Sequence, residues 1–247
     1  MSGISILPLQ GIPEVRPGDD LARLIAAAGR DLLRSGDVLV VTQKVVSKAE
    51  GRVVDLREVE PSAFARSFAD RHGKDPRHVE VVLRESRRIV KMDRGLIISE
   101  TRHGFVCANA GVDASNVPGE ETVCLLPIDP DASARKLRGA LRERLGLDLP
   151  VIISDSFGRA WRTGIANVAV GAAGMQPLLD YRGQRDPHGY TLEASVLAVA
   201  DELAAAAELV MNKTDGIPAA AVRGYPYSPG EGSAKDLVMP PERDLFR

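Results

Sequence analysis

The chain has 247 residues, of which 44% are hydrophobic and 27% charged, a composition typical of a globular protein with a substantial core. A formal net charge of −2 and an aromatic content of 4% indicate neither a basic field nor base-stacking surfaces, so we expect no nucleic-acid partner. The first residues lack the basic and apolar regions of a signal peptide, and acidic residues flank the alanine run 204–207. We therefore expect no membrane segment and a cytoplasmic location.

The first third of the chain predicts a helix, a strand and a lysine-containing segment. After a turn at residues 17–20, apolar residues recur at helical spacing and predict a buried stripe formed by Leu21, Leu24, Ile25, Ala28 and Leu32. Residues 38–42 are typical of a buried strand, which leads into the polar segment 43–51. In that segment Lys44 and Lys48 are candidates for a phosphate contact from a loop. Alternatively, they lie one helical turn apart on a solvated face.

The middle of the chain predicts alternating helices and strands. A helix over residues 61–73 would place Phe64 and Phe68 on one side, and a helix beginning at Asp131 would end at Gly146 as its C-terminal cap. The buried stripe of this second helix consists of Ala134, Leu137, Leu141 and Leu145. Further elements are a short helix at 77–86 and strands at 88–92, 96–99 and 104–108, the last followed by the loop 109–116.

The last third predicts a strand, a long helix and two loops. The strand at residues 149–153 precedes Asp155, and a stretch of mostly small residues follows at 166–174. The longest helix is expected at 191–210, after a polar loop at 181–190. A strand at 219–223 and a glycine-rich loop at 228–233, leading into a short helix, complete the chain. No repeat or linker is visible, so we expect one domain over residues 1–247, and a division into two subdomains stays open.

The two cysteines, Cys107 and Cys124, lie in apolar runs. This position favours small buried side chains over a disulfide or a metal-binding pair. With only four dispersed histidines, the chain has no zinc motif.

Two carboxylates follow apolar runs and are the first candidates for chemistry. Asp113 comes after residues 104–108 and Asp155 after residues 149–153, so both resemble strand ends that release a carboxylate into a loop. Such a pair could hold a hard cation, which prefers oxygen ligands. The alternative is that both are turn or helix-capping residues.

Familiar nucleotide-binding and hydrolase motifs are missing from the sequence. There is no P-loop, no Gly-x-Gly-x-x-Gly after a strand and no Gly-x-Ser-x-Gly elbow. What remains is a glycine-rich loop near the end of the chain and a dispersed polar set, namely Lys44, Lys48, Asp113, Asn116, Asp155, Ser156, Arg159, Arg162 and Asp215. Carboxylates for a cation, with lysines and backbone amides for phosphates, are typical of phosphoryl transfer.

Across nearly its whole length the sequence resembles the coenzyme F420-0:L-glutamate ligase family. The segments that carry the resemblance are residues 11–14, 36–42, 47–52, 109–116 (Asn-Ala-Gly-Val-Asp-Ala-Ser-Asn), 126–131, 154–159 (Ser-Asp-Ser-Phe-Gly-Arg), 215–218 and 230–233. The blocks at 109–116 and 154–159 are specific to the family, whereas the others would be weak by themselves.

The resemblance implies a mixed α/β fold of the F420 gamma-glutamyl ligase type, distinct from P-loop folds, in an intertwined homodimer. Some actinobacterial relatives fuse this domain to a flavin-dependent, nitroreductase-like domain, and because this chain stops near residue 247 we expect that second activity to be absent. The implied reaction adds L-glutamate to the lactyl carboxylate of coenzyme F420-0 through an acyl phosphate, with GTP as cosubstrate and Mn²⁺ or Mg²⁺ as the cation. A potassium ion is a further candidate.

The resemblance also assigns residues to the site. Asp113 and Asp155 would be catalytic, and together with Ser156 they would bind the metal. The nucleotide would be bound by Ile12, Pro13, Glu14, Val15, Gln43, Lys44, Lys48, Asn116, Met211, Lys213, Asp215, Gly216 and Ile217. Archaeal members carry a longer loop with a metal-binding glutamate where this chain has Asn212, Lys213 and Thr214, so a third protein carboxylate on the metal is not implied.

Three assignments stay open at this point. Arg159 and Arg162 are candidates for the phosphodiester of the cofactor or for the acyl phosphate, with simple surface solvation as the alternative. The loop 181–190 would suit either substrate cover or subunit contact. As to function, the alternatives are a ligase of the same fold acting on another carboxylate and a non-catalytic protein that binds a nucleotide or a deazaflavin.

Overall fold

The computed structural model describes residues 3–117, 119 and 121–245, and within them the fold is a mixed α/β arrangement. Its α-helices are α1 (Leu21–Gly29), α2 (Gln43–Ala49), α3 (Ala63–His72), α4 (Pro76–Glu85), α5 (Pro130–Leu145) and α6 (Val199–Met211). Its strands are β1 (Ser5–Pro8), β2 (Val38–Thr42), β3 (Val53–Asp55), β4 (Ser86–Asp93), β5 (Leu96–Thr101), β6 (Val106–Ala108), β7 (Thr122–Cys124), β8 (Val151–Arg159), β9 (Arg162–Ala173), β10 (Leu179–Asp180), β11 (Val196–Leu197) and β12 (Ala219–Arg223). No helix in these ranges is long and apolar enough to cross a membrane.

A five-stranded sheet of order β1-β12-β2-β8-β9 forms the centre of the fold. Strands β2 and β8 run parallel, whereas the other neighbours pair antiparallel. Alternate residues of β2 enter two different hydrophobic clusters, Leu39 and Val41 on one face and Val38 and Val40 on the other. Helices α1 and α5 contribute to the first cluster and α6 to the second, so the sheet is covered on both faces, as an all-apolar strand requires.

A third hydrophobic cluster lies apart from the central sheet. It contains apolar residues of α3, α4 and β5, among them Phe68, Val79 and Ile97. The sheet β4-β5-β6 and the strand pair β3-β7 contribute to this part of the chain. It positions the functional site because the residues that follow β6, including Val112, are anchored in the same cluster.

Several helix ends lie where the sequence predicts them. Helix α5 starts after Asp129, whose carboxylate accepts a hydrogen bond from the Ala132 amide at 3.0 Å, and it ends at Gly146 with φ of 69°. A glycine suits this position because a side chain would be strained at such an angle. Helix α4 begins with Pro76 after the capping residue Asp75. These local signals act within one turn, so the sequence alone predicts them well.

The predicted helix at 191–210 is wrong in its first part. Only residues 199–211 are helical, and α5, with 16 residues, is longer than α6 with 13. Residues 196 and 197 instead form β11, which pairs with β10. A hydrogen bond from the Tyr181 amide to the Ser195 carbonyl at 2.9 Å extends this pairing. Pairing with a distant segment has replaced local helical spacing here.

Two further predictions need correction. Residues 43–49 form the helix α2 and not a loop. Strand β8 does not end before Asp155 but continues to Arg159, because Asp155 and Ser156 pair with Val168 and Asn167 of β9. The partner strand β9 supplies backbone hydrogen bonds that stabilise this part of β8. The polar residues there have low strand propensity, so the sequence alone does not predict that the strand continues.

Both cysteine thiols are free and buried, which confirms the prediction of small buried side chains. Burial raises the pKa of Cys107 to about 12 and that of Cys124 to about 11. Because the thiolate is the reactive form, neither cysteine should react with Ellman's reagent in the native protein at pH 8, and both should react once denaturant is added. A thiol that titrates before unfolding would contradict this packing.

Candidate functional site

A cleft of about 990 Å³ lies where the parallel pairing of β2 with β8 ends. Thr42 and Ser154 are register partners at this edge of the sheet, and both line the cleft. Ligands of open α/β sheets bind beyond the carboxyl ends of the strands, which is where this cleft opens. Of the residues that the family resemblance assigns to the site, all except Met211 and Asp215 line the cleft. They are Ile12, Pro13, Glu14, Val15, Gln43, Lys44, Lys48, Asp113, Asn116, Asp155, Ser156, Lys213, Gly216 and Ile217.

Asp113 lies on a short bridge that fixes its backbone. Its amide donates to the Cys124 carbonyl at 3.0 Å, and the Cys124 amide donates back at 2.8 Å. The carboxylate contacts Lys44 Nζ at 2.7 Å and accepts hydrogen bonds from the amide and hydroxyl of Ser115, at 2.7 and 3.0 Å. Burial by itself would raise the pKa of Asp113, but these three contacts outweigh it and lower that pKa. Asp113 is therefore ionised at neutral pH.

Asp155 has a different environment. Burial raises the pKa of Asp155 to about 7, although the Ser156 amide and the charges of Lys44 and Lys213 act in the opposite direction. Among the described residues no lysine or arginine forms an ion pair with this carboxylate. A half-buried carboxylate with little local compensation is poised to gain from a bound cation.

Four side chains form a hydrogen-bonded ring beside Asp155. Lys213 Nζ contacts Glu208 Oε1 at 2.8 Å and also donates to the Ser156 hydroxyl. The Ser156 hydroxyl donates to Asn167 Oδ1 at 2.6 Å, and Asn167 Nδ2 donates to Glu208 Oε2 at 2.7 Å. The ring ties the loop after α6 to the hairpin β8–β9.

The two lysines of α2 do not lie on a solvated face. Lys48 is 5% exposed, and its Nζ contacts Glu14 Oε1 at 2.6 Å, whereas Lys44 contacts Asp113. The two lysines do lie one helical turn apart, as the alternative interpretation predicted, but their side of α2 lines the cleft. The solvated-face interpretation is therefore wrong for both residues.

Several predicted residues lie outside the cleft wall. The Met211 side chain is 0% exposed and packs in the hydrophobic cluster between α6 and the sheet. Asp215 is exposed and accepts a hydrogen bond from Asn212 Nδ2 at 2.8 Å. Arg159 and Arg162 are exposed near the turn of the hairpin β8–β9 and do not line the cleft.

The structure adds residues that sequence reasoning missed, namely Ser115, Ser154, Asn167 and Glu208. Ser115 and Ser154 belong to the family-specific blocks 109–116 and 154–159, so their closeness in sequence to Asp113 and Asp155 could have identified them as site residues. Asn167 reaches the site only through its register opposite Ser156, and Glu208 only through the packing of α6. No local pattern marks either residue.

The oxygen donors of the cleft fit a hard divalent cation. No group of three or more His, Cys, Asp or Glu side chains that could hold a metal occurs in the described part of the chain. Asp113, Asp155 and the Ser156 hydroxyl are nevertheless oxygen donors of the type that Mg²⁺ and Mn²⁺ prefer. Mg²⁺ is commonly bound by one or two carboxylates plus substrate phosphates, so a complete protein cage is not required.

Comparison with known proteins identifies the family of this chain. The family model described as F420-0:Gamma-glutamyl ligase matches residues 11–224. A relative from Methanothermobacter thermautotrophicus, named coenzyme F420:L-glutamate ligase, is 50% identical over 252 residues that cover 99% of each chain. Relatives of the same name from Methanopyrus kandleri and Archaeoglobus fulgidus are 49% and 43% identical, covering 100% and 99% of this chain and 100% and 96% of the relatives. The chain therefore belongs to the F420-0:gamma-glutamyl ligase family.

Proposed function

We propose that this protein is a GTP-dependent ligase that joins L-glutamate to the lactyl carboxylate of coenzyme F420-0. The observation that carries the proposal is the single cleft that collects Asp113 and Asp155 together with Lys44, Lys48 and Lys213. The names of the relatives support the substrates, since each is called a coenzyme F420:L-glutamate ligase. GTP is the proposed phosphoryl donor because the family resemblance implies it, and the lysines of the cleft offer cationic contacts for its phosphates.

The charges of the cleft support joint binding of a nucleotide and a cation. Each lysine is paired with a carboxylate, in the pairs Lys44–Asp113, Lys48–Glu14 and Lys213–Glu208. A triphosphate brings several negative charges, so it must draw the lysines away from these partners. A cation that takes over the carboxylates would offset the cost of that exchange.

Asp113, Asp155 and Ser156 would hold the proposed Mn²⁺ or Mg²⁺. When bound, the ion would neutralise phosphate oxygens and align donor and acceptor. For this, Asp113 must release Lys44, whose ammonium group can then contact a phosphate. Ser156 must likewise give up its contact with Lys213. A potassium ion is a further proposed cofactor, to which no ligands are assigned.

The proposed reaction has two steps. The γ-phosphoryl group of GTP is transferred to the lactyl carboxylate, which gives an acyl phosphate and GDP. The α-amine of L-glutamate then attacks the acyl carbon, the amide bond forms, phosphate leaves and the amine loses a proton. Positioning and charge neutralisation provide most of the rate in such chemistry, so the lysines and carboxylates suffice without a protein nucleophile.

Assembly and location complete the proposal. We propose a homodimer, as the family resemblance implies, and a cytoplasmic location. The loop 181–190 is exposed over most of its length and does not line the cleft, which favours subunit contact over direct substrate cover. Light scattering of the purified protein measures the oligomeric state.

One mass spectrum tests the function directly. F420-0 incubated with the protein, GTP, Mn²⁺ and L-glutamate should gain the mass of glutamate residues. Phosphate release should require both F420-0 and glutamate. Release with a different carboxylate acceptor would favour the rival ligase, and nucleotide binding without any release would favour a non-catalytic binding protein.

Lys213→Glu should change how nucleotide binding depends on metal. The substitution removes an ammonium group from beside Ser156 and places a carboxylate near Glu208. GTP binding should weaken at low Mn²⁺ and recover at high Mn²⁺, because the new carboxylate recruits a cation. A calorimetric titration at several Mn²⁺ concentrations measures this.

Lys213→Met is the matched control for this experiment. It removes the same charge but supplies no ligand, so its GTP affinity should not recover at high Mn²⁺. If Lys213→Glu leaves the metal dependence unchanged, then the loop after α6 does not reach the phosphates.

A further inference from the structure

Two buried polar groups in the cleft wall have no hydrogen-bond partner among the described residues. They are the Nε2 atom of Gln43 and the hydroxyl of Ser154. Each residue is 1% exposed, and both line the cleft. Buried polar groups are nearly always paired in folded proteins, so two unpaired groups that line one cleft are candidates for contact with a bound ligand.

The fold places these two groups where the parallel pairing of β2 with β8 ends. Ser154 lies opposite Thr42 in the parallel register of β2 and β8, and Gln43 directly follows Thr42. The Ser47 hydroxyl donates to Gln43 Oε1 at 2.9 Å, which orients the amide and leaves Nε2 as its free end. Ser154 directly precedes Asp155 in β8, and both residues line the cleft.

The chemistry of the two groups selects an oxygen ligand. An amide nitrogen only donates hydrogen bonds, and the serine hydroxyl also carries a donor, so together they suit one oxygen acceptor. Lys44 and Lys48 line the same cleft and favour an oxygen with negative charge. We propose that the Ser154 hydroxyl joins Gln43 Nε2 in a donor pair for a phosphoryl oxygen of the bound nucleotide. The family resemblance already assigns Gln43 to the nucleotide, so the new element is Ser154, which was not among the residues assigned from the sequence. The proposal rests on the proposed function.

Ser154→Ala is the variant that tests the pair. An unpaired buried hydroxyl destabilises the free protein, so its removal should leave the melting temperature unchanged or raise it by about 2–4 °C. The dissociation constant for GTP with Mg²⁺ should rise on the order of tenfold, the effect of one lost hydrogen bond to a charged group. Gln43→Met should weaken GTP binding in the same direction.

Ser99→Ala is the matched control. The Ser99 hydroxyl is also buried and without a partner among the described residues, but it lies on β5 and does not line the cleft. This variant should show the same small change in melting temperature with unchanged GTP affinity. Ser154→Thr, which retains the hydroxyl, should bind GTP more tightly than Ser154→Ala.

Calorimetry with GTP, GDP and F420-0 separates the possible sources of the oxygen. Weakened nucleotide binding with unchanged F420-0 binding supports the proposal. Weakened binding of F420-0 alone would assign the donor pair to the acceptor and overturn it, as would a lower melting temperature with unchanged GTP affinity. A wild-type protein that binds GTP but yields no glutamylated product would refute the ligase reaction and leave the donor pair standing.

Discussion

Asp113→Asn should lower ligase turnover at least on the order of a hundredfold, the scale of losing one strong electrostatic contact in a transition state. The change keeps the size of the side chain but removes the charge that Lys44 contacts at 2.7 Å and that a cation would bind. The backbone bridge between Asp113 and Cys124 does not involve the side chain, so the fold should persist. Steady-state rates over a range of Mn²⁺ concentrations, together with a melting curve, measure both effects.

Asp93→Asn is the matched control for this substitution. Asp93 is a carboxylate of β4 that contacts Arg94 at 3.4 Å, and it does not line the cleft. Its loss should leave turnover unchanged, because exposed ion pairs contribute little. If Asp113→Asn turns over at the wild-type rate with ordinary Mn²⁺, Asp113 does not belong to the site.

Lys48→Met should raise the dissociation constant for GTP at least on the order of tenfold, which corresponds to about 1.4 kcal/mol. Lys48 is 5% exposed, so its charge acts in a poorly solvated wall where a phosphate contact is strong. The affinity for L-glutamate should change less. Calorimetric titrations with GTP and with glutamate measure the two effects separately.

Two further variants decide how Lys48 acts. Glu14→Gln frees Lys48 from its contact at 2.6 Å and should tighten GTP binding if the ammonium group contacts a phosphate. Should Glu14→Gln weaken GTP binding as Lys48→Met does, Lys48 only anchors the loop 12–15. Lys136→Met, on the exposed side of α5, is the charge-matched control and should leave GTP affinity unchanged.

Much of the fold follows from local signals. The strand β2, the capped helix α5 and the buried cysteines are each predicted by a few neighbouring residues. Two of the failures have the same cause, because β11 and the second half of β8 form through pairing with other strands. Helix α2 is a different failure. Its sequence is compatible with a helix or with a loop, and only the tertiary structure shows that it is a helix whose face lines the cleft.

The candidate site divides in the same way. The segments at 109–116 and 154–159 are recognisable by their order along the chain, and their carboxylates lie together in the cleft. Glu208 and Asn167 were not found, since each reaches the site from an element whose sequence is otherwise that of an ordinary helix or strand. Met211 was assigned by its position in the chain, whereas its side chain points into the core.

By itself, the sequence determined the family, the two carboxylates and the lysines near them, because these are properties of contiguous segments. Only the tertiary structure decided the partner of each charge, and the burial that raises the pKa of Asp155 to about 7. It also left the buried groups of Gln43 and Ser154 without a hydrogen-bond partner in the described part of the chain. Burial and pairing are set by residues far apart in the chain, such as Glu14 with Lys48 or Asn167 with Ser156, and they arise only when the sheet and its helices pack together.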